Sequence, residues 1–88
     1  MKTIRKPIRL THHCRMQLAF RGTSQDEILR TIRTTEWQPA ELGRLECRKD
    51  FLFGRKWNSR RYETKQVRPI FVDEADEIVV ITVYVYYF

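Results

Sequence analysis

The last eleven residues, Ile78 to Phe88, are β-branched or aromatic throughout, with no glycine, proline or charge among them. Such a run fits a pleated surface covered on both faces better than any helix, so it predicts a strand inside a sheet rather than on its rim. Within it Val83, Val85 and Tyr87 alternate with Tyr84 and Tyr86. The period of two puts the valines on one face and Tyr84 and Tyr86 on the other. If the valines meet a core, the two tyrosines look out of the sheet.

The rest of the chain has to supply that core within 88 residues, which suffices for one domain, residues 1–88, and is too short for two. Hydrophobic residues make up 42% of the chain and come in short recurring blocks, so the chain can fold. Lysine and arginine number 17 against 11 acids, a formal charge of +6, which favours an anionic partner such as nucleic acid or an acidic protein segment. Cys14 and Cys47 are too few and too far apart for a zinc motif and read as reduced, buried fillers. Met1 to Lys6 leads into no sustained apolar core, and the terminal apolar run is shorter than a membrane span. A cytoplasmic protein outside the membrane, with no metal or cofactor, is expected.

Arg5 to Leu10 reads as a short edge strand, because Pro7 lacks a ladder donor. From Thr11 the period changes. Cys14 and Leu18, four apart and flanked by Met16, Ala19 and Phe20, predict a helix with an apolar side, capped by Thr11 and closed by Gly22. Ser24-Gln25-Asp26-Glu27 has the form of a reciprocal capping box, and Ile28, Leu29 and Ile32 form the buried stripe of a second helix. After Gly43 the period is two: Leu45, Cys47, Lys49 and Phe51 alternate with Glu46, Arg48 and Asp50. A turn is expected around Phe53-Gly54-Arg55. Val67 to Val72 reads as a strand with irregular pairing at Pro69, joined to the terminal strand by Asp73 to Asp76 as an antiparallel hairpin. These elements predict an α+β domain with two N-terminal helices on one face of a mainly antiparallel sheet of three or four strands.

The stretch Thr11, His13, Cys14, Leu18, Arg21, Gly22, Ser24, Glu27 resembles the pattern of domain-of-unknown-function family 4258. That pattern runs from a threonine or serine near a histidine to an arginine-glycine junction before a glutamate-bearing helix. Gly43-Arg44, the strand Val67 to Val72 and Val79 to Tyr84 are also similar to that family. The chain departs from the pattern at Gln17, where arginine is common, and at Thr23, where a branched apolar residue is usual. The family is similar in its helix-helix-sheet arrangement to the RelE/ParE-like toxin superfamily. The resemblance implies a RelE-like fold and a ribosome-dependent messenger RNA endonuclease held in check by an antitoxin protein. The competing reading is a non-catalytic module of the same fold that binds protein or nucleic acid through a sheet edge or open face.

Metal-independent RNA cleavage needs a group to take the 2′-OH proton, cationic forks for the phosphate, and a proton for the leaving oxygen. His13 is the histidine candidate for proton transfer, and Arg68 and Tyr84 complete the catalytic candidates. Arg48, Arg60 and Arg61 are the phosphate-binding candidates, and Tyr86 can stack on a base. The simpler roles stand beside these: a histidine that caps a helix, arginines that solvate a loop, tyrosines that merely form a sheet. Asp73, Glu74, Asp76 and Glu77 cluster on a turn, where solvation accounts for them.

Overall fold

The computed structural model describes residues 6–88. In chain order they form β1 (Ile8–Leu10), α1 (His12–Arg21), α2 (Gln25–Thr34), β2 (Gln38–Pro39), a 3-10 turn (Glu41–Gly43), β3 (Leu45–Glu46), β4 (Lys49–Trp57), β5 (Arg60–Asp73) and β6 (Ile78–Tyr87). The domain is α+β, with both helices packed on a mostly antiparallel sheet. Among the described residues the sheet has six strands rather than three or four, ordered β1-β6-β5-β3-β2, with β4 continuing alongside β5. The extra strands arise because the ladder breaks at Cys47-Arg48, dividing one extended run into β3 and β4, and because Gln38 and Pro39 pair with Glu46 and Leu45. The expected start of β1 at Arg5 lies outside the described residues, as do the first five residues of the Met1 to Lys6 stretch read for a leader.

The helix signals act as their chemistry requires. Thr11 Oγ1 accepts the Cys14 amide at 3.1 Å, and Gly22 closes α1 at φ 77°, its N–H donating to the Leu18 carbonyl. Gly22 also lies close against the sheet: a Cβ there would stand 2.2 Å from Tyr87 Oη. Ser24 Oγ accepts the Glu27 amide at 3.2 Å, but the expected return bond from Glu27 is replaced. The Glu27 carboxylate instead pairs with Lys65 of β5 at 2.8 Å and accepts from Thr23 at 2.9 Å. A buried ammonium outcompetes a solvated amide for that carboxylate.

On α1 the predicted apolar side is narrower than expected. Cys14 is buried and Leu18 packs against the core, whereas Met16, Ala19 and Phe20 are exposed. The helix lies against β6 through Cys14 and Gln17. Gln17 Oε1 accepts from Thr82 Oγ1 at 2.7 Å and from the Val83 amide at 3.2 Å, satisfying the edge of β6 beyond the end of β1. Gln17 and Thr23 thus both make side-chain hydrogen bonds to other elements or to the neighbouring helix.

The terminal strand pairs antiparallel with β5 as expected, and parallel with β1 over Ile78 to Val80. The register of β5 and β6 shifts between Ile70 and Phe71: these neighbours face Thr82 and Val80, leaving Ile81 as an extra residue on β6. The irregularity falls beside Pro69, but its extra residue belongs to the partner strand. One inserted residue reverses the side-chain alternation. That is how Ile78 and Val80 before it, and Val83 after it, all come to lie in the core with Phe71, Val67, Ile28 and Ile32. Tyr84 and Tyr86 emerge on the opposite face.

The hairpin turn is not at Gly54. It is formed by Asn58 and Ser59, both at positive φ (52° and 70°), as a two-residue hairpin with right-handed strand twist requires. Gly54, at φ 58°, sits in a bulge where Phe53 and Gly54 oppose Glu63. Trp57 stacks on Tyr87 with ring centroids 5.1 Å apart, and Phe53 and Tyr62 close around the same tyrosine. Cys14 and Cys47 are free and buried, and burial pushes each thiol up to about 11, so neither is a ready nucleophile. Among the described residues no helix is long and apolar enough to cross a membrane.

Candidate functional site

The face of the sheet away from the helices carries a connected group of polar side chains. Arg68 of β5 stands opposite Tyr84 of β6, with Tyr86 one position of the same face along, opposite Gln66. Glu46 of β3 pairs with Ile70, which places it diagonally across from Arg68. Alternation along three neighbouring strands therefore delivers a carboxylate, a guanidinium and two phenols to one surface.

The contacts are specific. Arg68 Nη2 donates to Glu46 Oε1 at 2.6 Å and Arg68 Nη1 donates to Tyr86 Oη at 3.0 Å. Arg48 Nη2 donates to the other Glu46 oxygen at 3.2 Å. The Arg68 guanidinium also lies over the Tyr84 ring, 5.6 Å from its centroid, and Arg21, the last residue of α1, approaches the same ring at 5.4 Å. Arg68 Nε is buried and has no hydrogen-bond partner. Glu46 is 8% exposed, and the hydrogen bond from Arg68, followed by that from Arg48, holds its carboxyl below the usual range despite desolvation. The same hydrogen bond raises Arg68 further above neutrality, so both groups stay charged.

A cleft of about 540 Å³ opens beside this pair. Its floor is Glu46, Arg68, Ile70 and Tyr84, and its wall is the segment 39–44, which brings Arg44 to the rim. That segment is held by Ala40 N–H to the Arg44 carbonyl at 2.8 Å and carries Leu42 at φ 59°. A non-glycine residue in the left-handed region is a strained feature, and here it turns the wall over the sheet. Arg48 and Arg68 both pair with the Glu46 carboxylate, and Arg44 lines the cleft together with Glu41, so an anionic ligand enters by displacing part of that pairing.

The residues singled out from sequence divide into three places. Arg48, Arg68, Tyr84 and Tyr86 share the open face. His13 does not join them. It is exposed in the first turn of α1, lines no part of the cleft, and lies about 12 Å along the helix axis from Arg21, the residue that reaches Tyr84. Arg60 and Arg61 stand at the far end of β5, about 25 Å of strand from Arg68. Glu46 was the residue missed. Its alternation with Leu45 and Cys47 marks it as facing away from the core, but nothing local announces an arginine 22 residues on as its partner. Among the described residues no group of three or more histidine, cysteine, aspartate or glutamate side chains is placed to hold a metal ion. Comparison of the chain with protein-family models, with curated proteins and with solved structures gives no match.

Proposed function

We propose that this chain is a toxin-like endoribonuclease of the cytoplasm, acting on messenger RNA at the ribosome and silenced by an antitoxin protein. The observation that carries the reading is the hydrogen-bonded group of Glu46, Arg68 and Tyr86, with Tyr84 under the guanidinium, beside a cleft lined by Glu46, Arg68 and Tyr84. The helix-helix-sheet order and the sequence resemblance to family 4258 and the RelE/ParE-like superfamily agree with it. In this reading Glu46 accepts the proton of a ribose 2′-OH, and that oxygen bonds to the adjacent phosphorus as the bond to the 5′-oxygen breaks. Arg68 neutralises the charge gathering on the non-bridging oxygens, and a tyrosine phenol returns a proton to the leaving 5′-oxygen. The products are a 2′,3′-cyclic phosphate and a free 5′-OH. No metal takes part in this scheme.

A lowered carboxyl pKa keeps Glu46 ionised but makes it a weak base. The free chain is then a poor catalyst, and full activity needs a larger body, such as the ribosome, to hold the RNA in place and draw Arg68 onto phosphate. Controlled expression with mapping of new RNA 5′ ends tests this. New ends are expected for the parent chain and for His13→Ala. Glu46→Gln and Arg68→Ala should each lower their yield by about 10²–10³-fold. Soluble expression without new ends or a growth defect refutes the proposal.

One observation favours the second reading, a non-catalytic binding module. Two hydrogen bonds already engage Arg68, leaving it part of a structural ion pair rather than a free fork. In that case Arg68→Ala weakens ligand binding and stability together, with no cleavage to lose.

A further inference from the structure

Arg21, the last residue of α1, belongs to neither the hydrogen-bonded group nor the lining of the cleft, yet its guanidinium stands over the Tyr84 ring. It gets there because helix and strand run side by side. β1 pairs with β6 only as far as Val80, and beyond that residue α1 meets the outer side of β6. Gln17 bonds Thr82 and the Val83 amide there. Arg21 follows on the same stripe of the helix, about 6 Å further along, and Tyr84 is the next residue of the strand. The Arg21 side chain thus passes round the edge of the sheet, from the helix layer to the open face.

The fold makes little use of this cation. Among the described residues its guanidinium has no ion pair and no hydrogen bond, only the ring at 5.4 Å. An arginine in the last turn of a helix ordinarily meets the exposed carbonyls. In α1 those acceptors are already served: Tyr87 Oη donates to the Arg21 carbonyl at 2.7 Å, and Lys65 Nζ to the Gly22 carbonyl at 2.9 Å. Tyr84 does not need Arg21 either, because Arg68 already lies over its ring at 5.6 Å. The two guanidiniums are therefore no more than about 11 Å apart, and like charges so placed repel. Arg68 is engaged by Glu46 and Tyr86, and Arg48 by Glu46. Arg21 keeps its N–H donors unused beside them.

We infer that Arg21 is a phosphate-binding residue, holding a phosphodiester of single-stranded RNA on the α1 side of Tyr84 where the strand crosses into the cleft. The inference rests on the reading of the cleft as an RNA site. An unused planar fork matches two phosphate oxygens, and an anion there offsets the repulsion between Arg21 and Arg68. Arg21 holds the strand by a neighbouring phosphate, while Arg68 remains the cation at the bond that breaks. Tyr84 and Tyr86 are both exposed on this face, and only an unpaired strand offers its bases to them.

The test is fluorescence anisotropy with a labelled 2′-O-methyl RNA single strand of about 12 nucleotides, between 50 and 200 mM salt. This probe lacks the free 2′-OH that cleavage requires. The parent chain is compared with Arg21→Gln and Arg21→Lys, and urea unfolding is measured for each. One phosphate contact predicts a salt slope shallower by about 0.7 for Arg21→Gln, so the parent loses about 2.6-fold more affinity across that range. At the lowest salt Arg21→Gln should bind about tenfold more weakly, or worse. Arg21→Lys keeps the charge without the fork, so it should recover the slope and only part of the affinity. A residue that merely braces Tyr84 would change stability and leave the slope alone. An unchanged slope for Arg21→Gln overturns the inference, as does a slope that Arg21→Lys fails to restore, or a parent chain that does not bind the strand. Binding that depends on Arg21 in a chain that makes no new RNA ends refutes the enzyme reading alone. New RNA ends from the parent, with equal slopes for parent and Arg21→Gln, refute this inference alone.

Discussion

Replacing Lys65 with methionine removes the ammonium that ties the helix layer to the sheet. Lys65 is 4% exposed in the middle of β5. Its Nζ lies 2.8 Å from Glu27 Oε1 and donates to the Gly22 carbonyl at 2.9 Å. Methionine fills similar volume, so the loss is electrostatic rather than a cavity. It leaves the Glu27 carboxylate, whose side chain is 22% exposed, without its cation and with only the Thr23 hydroxyl, and takes the ammonium donor from the Gly22 carbonyl at the α1–α2 junction. Breaking a buried pair from one side costs about 3–5 kcal/mol, and partial solvation of Glu27 points to the low end, about 3 kcal/mol. For a domain of this size that lowers the melting temperature by about 12–24 °C. Glu27→Gln, which strands the more deeply buried Lys65, should cost at least as much. The double variant carries no stranded charge and should be more stable than the sum of the single losses by about 2 kcal/mol or more. Urea unfolding followed by circular dichroism measures all four proteins. Additivity within about 0.5 kcal/mol, or a loss below about 1 kcal/mol for Lys65→Met, would show that the pair is not a structural tie.

Two further expectations use the same unfolding assay. Gly22→Ala forces a Cβ to within 2.2 Å of Tyr87 Oη at a positive φ, and should destabilise by more than the about 1 kcal/mol that the backbone conformation alone costs. Adding Tyr87→Phe relieves the closest contact, though not those with the Trp57 ring at 2.8 and 2.9 Å, and gives up the Tyr87 hydroxyl bond to the Arg21 carbonyl, so the double variant should regain part of the loss; no recovery would place the strain at Trp57 and the backbone. The Glu46 carboxyl is lowered from its ordinary 4.5 chiefly by Arg68, so its contribution is complete above 4.5 and lost as the pH falls through the folded-state value. One proton over the roughly 1.5 pH units below 4.5 carries no more than about 2 kcal/mol, so between pH 6 and pH 3 the parent should lose about 1–2 kcal/mol more stability than Glu46→Gln; parallel curves refute it.

Signals confined to a few neighbouring residues were readable in advance. Thr11, Gly22 and Ser24 end or begin helices because each satisfies a backbone group within four positions of itself. The alternation of Val83 and Val85 with Tyr84 and Tyr86 separates core from open face for the same reason of short range. Two turn-forming signals competed for the hairpin, and the glycine was the misleading one. Gly54 provides a positive φ for a bulge, while Asn58 and Ser59 make the turn that brings Trp57 to Tyr87. Met16 and Phe20 show the limit of helical spacing: both fit an apolar stripe, yet the sheet is too narrow beyond β6 to cover them.

The chain's own order of residues determined an α+β domain, the caps of both helices, the valine face of the terminal strand and a basic balance of charge. The tertiary structure decided which residues meet. It set the bulge at Ile81, invisible in a run where every residue is β-branched or aromatic, because core packing alone distinguishes one register from the next. It drew Glu27 away from its own helix end to a lysine 38 residues on, and joined Glu46 to Arg68 across two strands. It also left His13 outside the cleft, on the helix layer. Chemistry at the site depends on these long-range pairings, whose partners are chosen by strand order and burial and leave no mark in the local sequence.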